Sequence, residues 1–243
     1  MLAVIVSHGQ PGDPQPQERA IEELAAQVAA CDPGCQVRGA TLAMPGALAA
    51  ACTDGCLIYP MFMAEGWFTR QQLPRKLAGA GIGGAQVMRP FGTDPALPAL
   101  ILDTAARAAA AQGWALAETT LLLSAHGSQR SQASATVTRA IADRIALHFA
   151  RVVTGFVEQE PFVVNAAQGL HRAVSLPLFA LRADHVRDDL PGALDRAGFA
   201  GLRLDPVGLA PEVPGLIARA IAAHRNLPLS RGTAMPPPTE RSL

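Results

Sequence analysis

Residues Pro177–Pro191 read PLFALRADHVRDDLP, and residues Pro60–Pro74 read PMFMAEGWFTRQQLP. Both stretches run from proline to proline over the same length, carry Phe two positions after the first proline, and end on Leu-Pro. They lie 117 residues apart, and three further anchors recur in the same order at nearly that spacing. VSHG ends at Gly9 and SAHG at Gly127, an offset of 118; GATLAMP begins at Gly39 and GFVEQEP at Gly155, an offset of 116. PFGTDPALPALI begins at Pro90 and PVGLAPEVPGLI at Pro206, again 116. Chance does not hold four ordered anchors within two residues of one spacing, so the chain reads as a tandem duplication. The halves fall at 1–116 and 117–226, and the polar, proline-rich end 227–243 is expected to be a disordered tail.

Each half alternates short apolar runs with longer amphipathic ones. In the second half TTLLLSA, ARVVTGF, AVSLPLF and LRLDPVG read as strands, and Val137, Ile141 and Ile145 recur at helical spacing between the first two. The first half follows with LAVIVSH, a helix over PQERAIEELAAQVAA, then CQVRGATL and GCLIYPMF. Strands alternating with helices imply parallel sheets. The expected fold is α/β: two doubly wound parallel-sheet domains facing each other across a cleft. Ligands in such sheets sit beyond the carboxyl ends of the strands. His126 follows LLLSA, Glu158 follows VVTGF, and His185 follows SLPLF, so all three are expected at one edge of the second sheet. Their matching positions in the first half are His8, Leu42 and Phe68. One half keeps two histidines and a carboxylate; the other keeps a single histidine among apolar groups and is expected mainly to shape the cleft.

Bulk composition narrows the function. The 243 residues are 49% hydrophobic and 16% charged, with Lys plus Arg equal to Asp plus Glu at 20 each. A balanced charge offers no field to draw the protein to nucleic acid or to an acidic membrane. Aromatics are only 5% of residues, too few for a base-stacking surface. No apolar run reaches the roughly 18 residues of a membrane span. The opening MLAVIVSHGQ has no basic region or cleavage pattern and reads as a buried strand. A cytoplasmic location with reduced cysteines is the expectation.

Neutral imidazoles bind divalent ions such as Co2+, Fe2+, Ni2+ and Zn2+, and they move protons near neutral pH. A carboxylate beside them can take protons, ligate metal or orient a ring. No GxxxxGK[ST] loop, no strand-to-helix GxGxxG and no GxSxG elbow is present. The site therefore suits metal handling or acid–base work without a nucleotide.

LLLSAHGS at 121–128, GFVEQEP at 155–161 and above all SLPLFALRADHVRDDLP at 175–191 resemble the sirohydrochlorin chelatases of the CbiX type (class II chelatases). The resemblance is close in the second half and diluted through the first. It implies a lyase that inserts Co2+ or Fe2+, as substrate metal, into the tetrapyrrole sirohydrochlorin without ATP and without a tightly bound cofactor, in cobalamin or sirohaem synthesis. By matching motif, His126 and His185 would hold the metal or take the pyrrole protons, with Glu158 as the nearby carboxylate. The substrate is rich in carboxylates, which arginines at the rim anchor. Arg130, Arg182 and Arg187 flank the second-half motifs, Arg70, Arg75 and Lys76 flank the first, and His8 is expected either to contact the substrate or to face the cleft as a remnant of a lost site. Two departures stand out: fused relatives often keep the histidines in the first half, and Asp184 occupies a family glycine position. They motivate an alternative, a non-catalytic protein that binds or delivers metal or tetrapyrrole. The fused halves can build the cleft within one chain, so a monomer is expected.

His148, His171 and His224 are expected near helix ends, explained by the helix dipole. All four cysteines lie in the first half, as Cys31-Asp-Pro-Gly-Cys35 and Cys52-Thr-Asp-Gly-Cys56. Each pair spans a helix-to-strand turn opposite the proposed site. On neighbouring strands four thiolates would hold Zn2+ or an iron–sulfur cluster; buried structural thiols are the other reading.

Overall fold

The structure, a computed structural model, describes residues 1–182 and 185–226. The 227–243 segment and Asp184 lie outside the described residues. The first half contributes β1 (Leu2–Ser7), α1 (Pro14–Cys31), β2 (Gln36–Thr41), α2 (Ala47–Ala51), β3 (Leu57–Pro60), α3 (Leu73–Gly79), β4 (Gln86–Val87) and α4 (Leu97–Ala111). The second repeats the order: β5 (Thr120–Ala125), α5 (Ala133–Ile145), β6 (Arg151–Phe156), α6 (Val163–Ala166), β7 (Ala173–Pro177), α7 (Leu190–Arg196), β8 (Leu202–Arg203) and α8 (Val213–Arg225). Each half forms a four-stranded parallel sheet, ordered β2-β1-β3-β4 and β6-β5-β7-β8. The order reverses between β1 and β3, and between β5 and β7, so each sheet has its topological switch point there.

The prolines of the two quoted stretches mark element ends. Pro60 and Pro177 close β3 and β7, where no further ladder hydrogen is needed. Pro74 and Pro191 sit in the first turns of α3 and α7, where a missing N–H costs nothing. Both helices are entered through a π-helical turn, Phe68–Gln72 in the first half and His185–Asp189 in the second.

Alternate strand residues feed two different cores. Ala3, Ile5, Leu57 and Tyr59 face inward, as do Leu121, Leu123, Val174 and Leu176. Both sets join one cluster with the apolar faces of α1, α4, α5 and α8, so these four helices form a layer between the sheets. Val4, Val6 and Ile58 face outward to α2 and α3, and Leu122 and Ala173 face outward to α6 and α7. Strands buried on both faces explain the unbroken apolar runs in the sequence. Within the middle layer the helices are exchanged. α4, the last helix of the first repeat, packs on α5 and β7, while α8, the last of the second, packs on α1.

The repeat needs one correction. Gly39 and Gly155 match in sequence, yet Gly39 pairs with Ile5 and Gly155 with Ser124, one position past the mate of Ile5. A Cβ on Gly39 would lie 2.4 Å from the Ile21 carbonyl oxygen in α1; one on Gly155 would lie 3.0 Å from Val163 Cα in α6. The two glycines face opposite sides of their sheets. Register makes Val157 the mate of Leu42: Leu42 N–H donates to Ser7 O at 2.9 Å and Val157 N–H to Ala125 O at 3.0 Å. Glu158 is therefore an extra residue in the second half rather than the counterpart of Leu42, which is buried in the outer core.

Candidate metal centre

His126 leaves the carboxyl end of β5 on a glycine turn. Gly127 has φ of +71°, and a Cβ there would lie 2.7 Å from Gln159 Cγ and 2.8 Å from Phe156 Cβ. No other residue fits that conformation and that space. The turn points the ring back over the sheet edge, with His126 Nδ1 2.7 Å from the Gly127 carbonyl oxygen. A carbonyl only accepts, so Nδ1 carries the hydrogen and Nε2 presents a lone pair.

His185 opens the π-helical turn after β7. The wider turn stacks residue 189 beneath residue 185, and His185 Nδ1 donates to Asp189 Oδ2 at 2.6 Å. This carboxylate fixes the ring and its tautomer, again leaving Nε2 bare. The two Nε2 atoms lie 3.0 Å apart, with ring centroids at 4.4 Å and planes at 86°. Two lone pairs at that distance repel unless a proton or a cation sits between them. Two metal–nitrogen bonds of about 2.1 Å at a right angle place their nitrogens about 3.0 Å apart. Glu158 reaches the same corner, 3.7 Å from His126 Nδ1, and one ligand atom each of His126, Glu158 and His185 lies within 4.8 Å of the others. Among the described residues this is the one such group of three. All three side chains are part-exposed, so an incoming ion has access.

Other expected site residues are more scattered. Arg130 is exposed on the loop after β5. Arg182 precedes His185 and pairs with Asp205. Arg187 lies within the π-helical turn itself. His8 occupies the place of His126 in the first sheet, its Nδ1 2.6 Å from the Gly9 carbonyl oxygen, but its neighbour there is Phe68. Arg70 pairs with Glu65 at 2.9 Å. Asp189 was missed by sequence reasoning; an acidic residue four positions after a histidine, just before a helix-opening proline, was its signal. His148 and His224 do end helical segments, whereas His171 lies in the loop before β7.

The four cysteines do not gather. β1 lies between β2 and β3, so the two pairs are not on neighbouring strands. Cys35 faces the shared middle core, while Cys52 and Cys56 face the outer one. All four thiols are free. Burial, followed by the neighbouring Cys56, pushes the Cys52 thiol up to about 12, which suits a structural thiol rather than a metal ligand.

Two parallel sheets on a shared helical layer, with a histidine pair at one switch point, define the class of two-lobed chelatase-like α/β proteins. The CbiX family model matches residues 120–225. The structure of CbiX, the terminal enzyme for biosynthesis of siroheme in denitrifying bacteria, is 57% identical, with a TM-score of 0.88 over 92% of this chain and 99% of that one. The chain belongs to the CbiX family. SirB from Bacillus subtilis with Fe3+ shares the fold at 12% identity and a TM-score of 0.66, over 91% of this chain and 94% of that one. DR2241 from Deinococcus radiodurans, a multi-domain protein with structural similarity to chelatases, shares it at 22% identity and 0.67, over 92% of this chain and 54% of its own. No protein of curated function matches. Among the described residues no helix is long and apolar enough to cross a membrane.

Proposed function

We propose that the protein inserts a divalent metal into sirohydrochlorin, without ATP, with Fe2+ as the working metal and Co2+ accepted by the same ligands. The reading is carried by the two Nε2 atoms held 3.0 Å apart, each freed by a hydrogen bond that pins its Nδ1 hydrogen. The 57% identity to CbiX supports the sirohaem branch and therefore iron. Imidazole nitrogen and carboxylate oxygen accept either ion.

In this reading His126 and His185 receive the metal as substrate, and Asp189 positions His185. Insertion releases two pyrrole protons, and Glu158, beside the histidines and open to solvent, accepts them and passes them to water. His126 and His185, vacated as the metal leaves, are ready for the next ion. Arg130, Arg182 and Arg187 meet the carboxylates of the macrocycle at the rim, and His8 contacts it from the other lobe. The fused halves supply both walls, so one chain suffices as a monomer, and free thiols fit a cytoplasmic setting.

Visible absorbance of sirohydrochlorin mixed with Fe2+ or Co2+ tests the proposal. Many turnovers by the wild type, slowed at least 100-fold in His126→Ala and His185→Ala, are expected. A spectral change that stops at one macrocycle per chain identifies a delivery protein instead.

A further inference from the structure

Aromatic residues are scarce in this chain, yet Phe62, Trp67 and Phe68 gather after β3 at the carboxyl edge of the first sheet. Phe68 stacks on Phe62 with centroids 6.2 Å apart and planes at 23°. It meets Trp67 edge-on at 5.2 Å and His8 edge-on at 4.3 Å. Trp67 is 52% exposed and Phe68 37%, whereas Phe91, Phe149, Phe156, Phe179 and Phe199 are all 9% exposed or less. A contiguous exposed aromatic patch marks a surface that something covers.

Its place in the fold says what. Phe68 is the repeat mate of His185, so the cluster is the counterpart, in the first lobe, of the histidine pair in the second. Gln17 Nε2 donates to the Arg182 carbonyl oxygen at 2.9 Å. That bond ties the first turn of α1, just past the His8 loop, to the loop just before His185, so the segments after β1 and β7 meet across the lobes. Beyond β2, Arg75 and Lys76 line a hollow of about 380 Å³ with Thr41 and Leu42. Neither has an ion-pair partner among the described residues. A flat conjugated ring system bearing carboxylates matches an exposed indole face braced edge-on by Phe68, with two unpaired cations following in α3.

We propose that the tetrapyrrole plane lies on the exposed Trp67 indole, which Phe68, edge-on to it and backed by Phe62, holds in place. The first lobe holds the macrocycle by stacking, with Arg75 and Lys76 meeting its carboxylates. The second lobe presents the metal to it. This inference rests on the chelatase reading above and assigns substrate binding within it to particular side chains. Stacking on a single aromatic side chain corresponds to roughly tenfold in affinity.

Metal-free sirohydrochlorin titrated into the full chain tests the platform without turnover. The chain has two tryptophans, and a Trp114→Phe background leaves Trp67 as the sole indole emitter. Quenching of Trp67 on binding is expected, with Kd weakened about tenfold by Phe68→Ala in that background. Trp67→Ala, followed by absorbance, is expected to weaken binding similarly. In turnover both alanine variants raise the KM for sirohydrochlorin and leave the KM for Co2+ unchanged. If sirohydrochlorin binds while Trp67 stays unquenched, or if the alanine variants bind it as the wild type does, the platform is wrong and the chelatase reading stands. If the wild type does not bind sirohydrochlorin at all, both fall.

Discussion

At the edge of the first sheet His8 meets Phe68 with ring centroids 4.3 Å apart and planes at 80°; at the edge of the second, His126 meets His185 at 4.4 Å and 86°. The first histidine of each pair is held by its Nδ1 against the carbonyl of the following glycine. The backbone that places the rings is the same, down to glycines at φ +72° and +71°. What differs is the second ring and the group beneath it. His185 rests on Asp189, whereas Phe68 has Gln72 four residues on, with its Oε1 buried and unpartnered. The corner is thus a mould for two perpendicular rings, and the lobes differ there in three side chains. Those three are the second ring, the residue four positions after it, and the inserted Glu158.

The sharpest break between the lobes is expected from single histidine removals. His126→Ala or His185→Ala lowers metal insertion at least 100-fold, while His8→Ala lowers it less than tenfold. Equal losses in steady-state rates would show that the lobes share the chemistry. Next in size is Asp189→Asn, which keeps the shape but weakens the hold on the His185 tautomer. A 10- to 100-fold loss in Co2+ affinity by calorimetry is expected, typical of outer-shell partners, and the matching change Gln72→Ala leaves Co2+ affinity unaltered. A constructive test copies the second corner into the first. Phe68→His with Gln72→Asp is expected to raise Co2+ stoichiometry from one to two per chain. A stoichiometry still at one would give Glu158, which has no counterpart in the first lobe, the deciding role. The smallest effect concerns the thiols. Iodoacetamide at neutral pH is expected to label exposed Cys31 first and Cys52 last in the native protein, because burial keeps the Cys52 thiol protonated.

Much of this is legible in the amino-acid sequence. Four anchors at one spacing carried the duplication, and alternating apolar runs carried the parallel sheets. The rule for strand carboxyl ends then brought His126, Glu158 and His185 together. The failures have physical causes. Gly39 and Gly155 look equivalent because both are glycines in strands, but one makes room for the backbone of α1 and the other for α6; only pairing register separates them. Asp189 stayed hidden although it stands four residues after His185, because that spacing pairs the two side chains only if a helical turn already begins at His185, before the proline that opens α7. The thiols looked clusterable because chain order suggested adjacent strands, whereas β1 separates β2 from β3.

The exchanged helices explain why a lobe without its second histidine persists at all. α4 is encoded with the first repeat yet closes the second lobe, and α8 is encoded with the second yet closes the first. Each repeat is the other's clasp. Deleting the first one strips α5 and β7 of their cover and leaves α8 without α1, so the histidine pair loses the wall behind it. Once two copies were joined in this way, either site was free to drift but neither copy was free to leave. The ligand surface of one lobe could change from a histidine pair to aromatics while the chain that bears it remained indispensable to the other.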